Sequence, residues 1–287
     1  MDLCDIGQIR ALLSGQGFRF SKSMGQNFLI ASWVPEQIAE MAGLDEKTGV
    51  FEVGPGIGCL TVQLSKHAGK VVAVELDKAL APVLDETLKD WENTKVLFGD
   101  VLKLNIAEIV KENFEGLRPV VCANLPYNIT SPLISAFIEA DCFESMTLMV
   151  QREVALRICA KAGTSDYGAF TVYTNWHTEP EILFDVTPDC FMPAPKVVSS
   201  VIKLTTRREA AANVTDEKLF FAVVRASFNQ RRKTLLNALT SGLSGYSKEE
   251  LQEVIVSCGY DEKIRGETLD IGGFAVISNK IAELGKV

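Results

Sequence analysis

Short apolar runs alternate with amphipathic segments through the first two thirds of the chain. Five runs rich in valine and other apolar residues lie between residues 49 and 151, and the segments between them carry apolar residues at helical spacing. Buried parallel strands have continuous apolar sequences, and strand–helix alternation places such strands in one sheet with helices on both faces. The pattern therefore predicts strands at 49–53, 70–76, 95–99, 119–124 and 146–151, followed by strands near 180–186 and at 199–204.

The pattern changes after the last of these strands. A polar segment at 205–218 is followed by sequence with helical periodicity only, first over 217–239 and then over 247–259. Ser247 and Glu250 form a capping-box pattern at the start of the second of these helices. We therefore expect a larger α/β domain at 1–206 and a small all-helical domain at 207–287.

Residue counts disfavour several classes of protein. No apolar run approaches the roughly 18 residues of a membrane span, and the N-terminal sequence has no signal-like apolar core, so we expect a cytoplasmic location. The chain has two histidines, and its seven cysteines include no C-x-x-C pair. A metal site or a Ser-His-Asp triad is therefore disfavoured, and no metal is predicted.

The charge is unevenly distributed along the chain. A net charge of −8 argues against a nucleic-acid partner for the chain as a whole. Residues 1–206 carry 17 Lys and Arg against 26 Asp and Glu, whereas residues 207–287 carry 12 against 11. Because a local basic strip can dominate phosphate binding, the whole-chain charge does not decide the question.

A glycine-rich loop, FEVGPGIG at 51–58, follows the first predicted strand. Such a loop is often only a tight turn, and position 59 is Cys where a dinucleotide fingerprint needs its third glycine. The next two predicted strands, however, end close to Glu75 and Asp100, and acids at strand tips hold ribose hydroxyls in sheets of this kind. Since the loop lacks the G-K-[ST] of a phosphate site, we interpret it as part of an acidic site for a cationic nucleoside such as S-adenosylmethionine.

The fourth predicted strand ends in the sequence NLPYNI at 124–129. A strand-ending proline turn with a core tyrosine would explain it without any function. Alternatively, Asn124 and the Leu125 carbonyl offer two acceptors, and Tyr127 offers a flat ring. Acceptors aimed at an exocyclic amine such as adenine N6 would stabilise the positive charge that appears on it during attack on a sulfonium methyl. The ring would hold the base by stacking.

Seven motifs, in order, resemble the KsgA/RsmA group of ribosomal RNA adenine N6-dimethyltransferases. They are SMGQNFL (23–29), EVGPGIG, VELD, GD (99–100), NLPYNI, FMPAPKVVSSV (191–201) and FNQRRKTLLNAL (228–239). The resemblance implies a Rossmann-like class I methyltransferase sheet with a small C-terminal helical domain that docks RNA. It also implies S-adenosyl-L-methionine as cofactor and N6,N6-dimethylation of two adjacent adenosines near the 3′ end of small-subunit rRNA, within an assembling 30S-type particle. We expect the protein to be a monomer.

The resemblance further implies roles for individual residues. The cofactor would contact Gln26, Asn27, Leu29, Gly54, Gly56, Glu75, Leu76, Asp100, Val101 and Asn124. The reacting base would meet Asn124, Leu125, Tyr127 and Phe191.

The basic run at 231–233 conflicts with a single helix over 217–239. On such a helix Arg231 falls inside the apolar stripe that contains Phe228 and Leu235. Either the helix breaks near 229–230, or the arginines are held at the domain junction, where they pair with an acid or grip phosphate. In the phosphate interpretation, the RNA-binding residues are Arg19, Lys22, Lys196, Arg225, Arg231, Arg232 and Lys233.

Other functions fit parts of the same sequence. A large-subunit rRNA adenine methyltransferase of the macrolide-resistance type shares the cofactor motifs, and an rRNA-binding assembly factor could methylate only as a secondary activity. The mitochondrial transcription-factor relatives are disfavoured, since no transit segment is present. A small-molecule or protein N-methyltransferase is disfavoured by the Arg/Lys cluster of the helical domain, and a nicotinamide oxidoreductase by the missing third glycine.

Overall fold

The computed structural model describes residues 2–16, 27–230 and 232–285 of the 287-residue chain. The chain divides into two compact units. The first comprises Met1–Ala155 and Glu181–Thr206, and the second comprises Leu156–Pro180 and Arg207–Val287. The predicted domain boundary at 206 coincides with one of the points at which the chain passes from the first unit to the second. The segment 156–180, which the sequence pattern left in the α/β domain, clusters instead with the C-terminal helices.

The described residues form two sheets and a series of helices. The strands are β1 Phe28–Leu29, β2 Thr48–Val53, β3 Lys70–Glu75, β4 Thr94–Phe98, β5 Arg118–Asn124, β6 Ser145–Gln151, β7 Thr178–Val186, β8 Phe191–Met192 and β9 Ser199–Thr206. The helices are α1 Ile6–Gly15, α2 Trp33–Ala42, α3 Cys59–His67, α4 Ala81–Thr87, α5 Ile106–Asn113, α6 Thr130–Glu139, α7 Arg152–Ile158, α8 Ala169–His177, α9 Glu217–Asn229, α10 Leu235–Gly242, α11 Lys248–Ser257 and α12 Ile271–Ala282. Among these helices of the described chain, none is long and apolar enough to cross a membrane.

The main sheet confirms the predicted α/β class. Its strand order is β4-β3-β2-β5-β6-β9-β7. Strands β2 to β6 pair in parallel, and β9 pairs antiparallel with β6. Every residue of β2 is buried, as expected for a strand covered on both faces. All seven strands read from the apolar runs are present.

The order of the strands fixes where a ligand can enter. From β2 the chain moves outward to β3 and β4 on one side, and later returns to place β5 on the other side of β2. This reversal is a topological switch point, and the crevice outside the carboxyl ends of the flanking strands is the usual ligand site of open α/β sheets. Here those ends are Val53 and Asn124.

A second, two-stranded sheet pairs β1 with β8 antiparallel, so that Leu29 lies opposite Phe191. The two strands belong to motifs that are more than 160 residues apart in the sequence. Their pairing brings the SMGQNFL and FMPAPKVVSSV motifs together within the first unit.

The helical unit is built around large aromatic residues. Trp176 of α8 packs against Phe220 of α9 with ring centroids 4.3 Å apart, and both side chains belong to one buried cluster with residues of α10, α11 and α12. The burial of Val172 and Trp176 in this cluster explains why 156–180 joins the helical unit.

The predicted continuous helix over 217–239 is wrong, and the break proposed as its alternative is present. Helix α9 ends at Asn229, and α10 begins at Leu235 after an N-cap at Thr234, whose hydroxyl accepts from the Asn237 N–H. The Leu235 N–H also donates to the Ile264 carbonyl at 2.7 Å. Because of this break, Arg232 lies between the two helices, and its side chain is exposed. Arg231 lies outside the described residues.

The other predicted caps can be compared directly with the structure. The capping box at Ser247 and Glu250 is present in both directions. Gly272 and Gly273, residues of low helical propensity, lie in the first turn of α12, where the N-cap Asp270 accepts from the Gly273 N–H at 2.8 Å.

Candidate functional site

The glycine loop between β2 and α3 has a backbone that few other residues adopt. Gly54, Gly56 and Gly58 have φ values of +71°, +60° and +91°. Positive φ strains residues with a Cβ, so the sequence GPGIG is required for this path. The Gly54 N–H donates to the Val74 carbonyl of β3 at 2.9 Å, which ties the loop to the neighbouring strand.

Glu75, the last residue of β3, holds the same loop through its carboxylate. One carboxylate oxygen accepts from the Gly56 N–H at 3.2 Å and the other accepts from the Asp77 N–H at 2.8 Å. Burial raises the pKa of Glu75, and these backbone donors oppose the rise. Each carboxylate oxygen has a second lone pair, so Glu75 can hold the loop and still accept from a ligand hydroxyl.

Glu52, the residue before Val53 in β2, was not singled out by the sequence analysis. Its side chain is 1% exposed, and its Oε2 has no hydrogen-bond partner among the described residues. Burial, reinforced by the charge of Glu75 and only partly opposed by Thr61, raises the pKa of Glu52 to about 8. A strand-tip glutamate read from sequence looks solvated, and only its burial in the sheet reveals an uncompensated carboxyl.

These residues line one cavity at the carboxyl ends of the strands. Its lining includes the predicted Asn27, Leu29, Gly54, Gly56, Glu75, Leu76, Asp100, Val101, Asn124, Leu125 and Tyr127. Gln26 lies outside the described residues. The cavity therefore unites β1, the glycine loop and the tips of β3, β4 and β5, as the switch-point rule requires.

The charge of the lining is one-sided. It contains the carboxyls of Glu52, Glu75, Asp77 and Asp100, and no Lys, Arg or His is among the lining residues that the structure describes. Asp100 also caps the following turn through the Leu102 N–H and pairs with Lys103 at 3.1 Å. An acidic, glycine-floored cavity with no basic side chain in its described lining fits a cationic nucleoside such as S-adenosylmethionine and disfavours a phosphate-rich ligand.

The reacting-centre motif forms the other side of the cavity. The Leu125 N–H donates to the Met149 carbonyl at 3.1 Å, which extends β5 pairing to the motif. Pro126 then turns the chain, and Tyr127 begins a single 3-10 turn that precedes α6. The Tyr127 hydroxyl forms a 2.6 Å hydrogen bond with Ser199 Oγ. The motif therefore places Asn124 and Tyr127 on the same cavity as the acidic lining, and the plain proline-turn interpretation does not require this.

Two groups of predicted residues are not among the described residues that line the cavity. Phe191 is buried and does not line it, although its backbone pairs with Leu29, which does. Among the predicted RNA contacts, Lys196 is exposed in the first unit, and Arg225, Arg232 and Lys233 are exposed in the helical unit. Arg19, Lys22 and Arg231 lie outside the described residues.

The comparisons with known proteins point to one family. Residues 17–281 match the family model described as ribosomal RNA adenine dimethylase. The chain is 44% identical to the ribosomal RNA small subunit methyltransferase A of Geobacillus kaustophilus over 287 residues, which cover 99% of this chain and 98% of that protein.

Two solved structures resemble the chain as well. A dimethyladenosine transferase from Plasmodium falciparum has a TM-score of 0.75 at 24% identity, with 90% of this chain and 98% of that chain covered. The 23S rRNA methyltransferase ErmE has a TM-score of 0.68 at 25% identity, with 89% and 100% covered.

Proposed function

Because the chain belongs to the ribosomal RNA adenine dimethylase family, we propose that it dimethylates N6 of two adjacent adenosines near the 3′ end of small-subunit rRNA. The chain is an S-adenosylmethionine-dependent rRNA methyltransferase by family. Its 44% identity to a protein named as a small-subunit enzyme, against 25% to a 23S rRNA enzyme, supports the small-subunit target. We further propose that it acts in the cytoplasm, as a monomer, on an assembling 30S-type particle.

The observation that carries the proposal is the position of Asn124 and Tyr127 on the cavity that also presents the four carboxyls. S-adenosylmethionine supplies an electrophilic methyl group on a sulfonium. Asn27 and Leu29 would hold its methionine and ribose end, with Gln26, while Gly54 and Gly56 give close access to the loop backbone. Glu75 would accept from the ribose hydroxyls, and Leu76, Asp100 and Val101 would enclose the adenine.

The chain's own residues would then favour the transfer through charge. The N6 lone pair of adenine is delocalised into the ring, which makes N6 a poor nucleophile. When N6 donates this pair to the methyl carbon and the methyl–sulfur bond breaks, positive charge would develop on N6 until one of its hydrogens leaves as a proton to solvent. The Asn124 side-chain oxygen and the Leu125 carbonyl would accept from the N6 hydrogens and stabilise that charge, as an oxyanion hole does with the opposite sign. Tyr127 would stack on the base and fix its approach, with Phe191 behind the pocket.

The helical unit and Lys196 would provide the RNA contacts. Arg225, Arg232 and Lys233 are exposed basic side chains of the helical unit. In that unit the numbers of basic and acidic residues are nearly equal, whereas the first unit has an excess of acidic residues. Exposed guanidinium and ammonium groups bind phosphate without reading sequence. Arg19, Lys22 and Arg231 remain predicted members of this set.

Mapping the product tests the proposal. Small-subunit particles that lack the modification are incubated with the protein and a methyl-labelled cofactor, and the modified nucleotides are located by mass spectrometry of rRNA fragments. We expect dimethyladenosine at two neighbouring positions near the 3′ end. Label confined to large-subunit rRNA would overturn the small-subunit assignment.

The Asn124→Ala variant tests the chemical role within the same assay. We expect its turnover to fall by at least a hundredfold, in the range of losses seen when one oxyanion-hole donor is removed, while its affinity for S-adenosylmethionine changes much less. If turnover and cofactor affinity fall together, Asn124 serves binding and not the chemical step. RNA binding that persists in this variant with an undiminished effect on assembly would favour the assembly-factor function.

A further inference from the structure

The hydroxyl of Tyr127 is anchored by a buried residue outside the cavity lining. Its oxygen lies 2.6 Å from Ser199 Oγ, and Ser199 is fully buried as the first residue of β9. We propose that Ser199 is a positioning residue, which sets the plane of the Tyr127 ring against which the target base stacks. This inference rests on the proposed function.

The position of Tyr127 in the chain explains why its hydrogen bond to Ser199 matters for the orientation of the ring. Tyr127 stands in a three-residue 3-10 turn after Pro126, and the side chain is half-buried at the edge of the cavity. A tyrosine ring has two rotatable side-chain bonds, and each of them can occupy more than one low-energy position. A hydrogen bond at the far end of the ring fixes the direction of the ring axis, and therefore the first bond. Because a phenol hydroxyl prefers hydrogen bonds that lie in the plane of its ring, the direction of Ser199 Oγ also favours one ring plane before the base arrives.

Ser199 is itself held firmly by the sheet. Its Cα lies opposite Gln151 in the β6–β9 pairing, and the Arg152 N–H donates to the Val198 carbonyl at 3.0 Å immediately before it. The anchor is therefore part of the main sheet and moves with it. Burial raises the pKa of Tyr127, which keeps the phenol protonated and able to donate or accept at neutral pH.

The contact also explains a residue of the FMPAPKVVSSV motif that the sequence analysis left without a role. Ser199 and Tyr127 are 72 residues apart in the chain, and no local pattern links them. A Tyr127 that acted by stacking alone would tolerate Tyr127→Phe, which keeps the ring. The hydrogen bond predicts that Phe is impaired as well, because its ring has lost the anchor.

The chain offers a matched control for Ser199. Ser200 is equally buried, follows it in β9, and forms a 2.6 Å hydrogen bond through its own hydroxyl, but to Asp185. Successive residues of a strand point to opposite faces. Ser200→Ala therefore removes a buried hydroxyl and one hydrogen bond from the same strand without touching Tyr127.

Steady-state methyl transfer to rRNA, cofactor affinity and melting temperature are measured for the single variants and for a double-mutant cycle. We expect Ser199→Ala to lower kcat five- to tenfold with unchanged cofactor affinity, and Ser199→Thr to recover most of that loss because it keeps the hydroxyl. Tyr127→Phe should show the same loss as Ser199→Ala, and the double variant should be no worse than either. Ser200→Ala should retain kcat.

The outcomes separate this inference from the proposed function. If the wild-type protein makes no dimethyladenosine, the function fails. If the wild-type protein is active and Ser199→Ala retains kcat, or the two losses multiply in the double variant, Ser199 does not position Tyr127. Equal losses of kcat in Ser199→Ala and Ser200→Ala would mean that both serines serve only the strand.

Discussion

Replacing Glu52 with Gln should change how the stability of this protein depends on pH. The change removes a carboxyl that is buried beneath the cavity, with Oε2 unpaired among the described residues, and keeps nearly the same shape. In the folded chain the pKa of this carboxyl is raised from 4.5 to about 8. Unfolding returns the carboxyl to water, where its ordinary pKa applies.

The sign of the effect follows from the protons bound in each state. Between pH 4.5 and pH 8 the folded chain keeps the Glu52 proton and the unfolded chain has lost it. Stability falls with rising pH wherever the unfolded state binds fewer protons. Each pH unit in that window therefore lowers the free energy of unfolding by about 1.4 kcal/mol through this group, on the order of 5 kcal/mol across the window.

The assay compares urea unfolding of the wild-type chain and Glu52→Gln at intervals from pH 5 to pH 9. The difference between the two isolates Glu52, because all other titrating groups are shared. We expect the variant to gain stability relative to the wild type as the pH rises, by several kcal/mol at pH 9 compared with pH 5. Glu139→Gln, at an exposed site of α6, is the matched control and should show no such trend.

A constant difference between wild type and Glu52→Gln across this pH range would refute the reasoning. It would mean that Glu52 titrates alike in the folded and unfolded chains, and that its burial is compensated by a group that the geometry does not reveal. A difference that changes in the opposite direction would mean that the folded protein favours the ionised carboxylate.

Two further predictions concern ligand binding. Glu75→Ala should weaken S-adenosylmethionine binding by about 1.5–3 kcal/mol, the range for hydrogen bonds to charged groups, and calorimetry on a folded variant that finds unchanged affinity would remove Glu75 from the site. Arg232→Ala combined with Lys233→Ala should reduce the log–log salt slope of rRNA binding by about 1.8, at about 0.9 for each duplex phosphate contact, with melting temperature and cofactor affinity nearly unchanged. Lys248→Ala combined with Lys263→Ala removes two exposed charges from the same unit and serves as the control; an unaltered slope with a large fall in melting temperature would make the 232–233 pair structural.

Local sequence determined the elements whose formation depends on near neighbours. The strands β2, β3, β5 and β6 could be predicted from the sequence, because parallel strands buried on both faces need continuous apolar runs. The capping box at Ser247 and Glu250 could be predicted as well, because both partners lie within one helical turn. The glycine loop, Glu75 at the end of β3 and Asp100 just beyond β4 could be predicted as one site, because strand ends in such a sheet meet at one edge.

Tertiary structure decided the features that depend on residues far apart in the chain. Strand β9 inserts between β6 and β7, and β1 pairs with β8. Both arrangements depend on long-range contacts, which the periodicity of the sequence does not indicate. The helix break before Leu235 is fixed partly by a hydrogen bond to Ile264, and segment 156–180 joins the helices because Trp176 finds its apolar partners there.

The same division holds for the cavity. Residue types and spacing were enough to nominate Asn124, Glu75 and Tyr127, since each stands at or just beyond a strand end. The sequence could not show that Glu52 is buried without a full set of partners, or that Ser199 anchors the Tyr127 ring. Burial and long-range hydrogen bonds are properties of the packed chain, because desolvation depends on everything that surrounds a group and not on its neighbours in sequence.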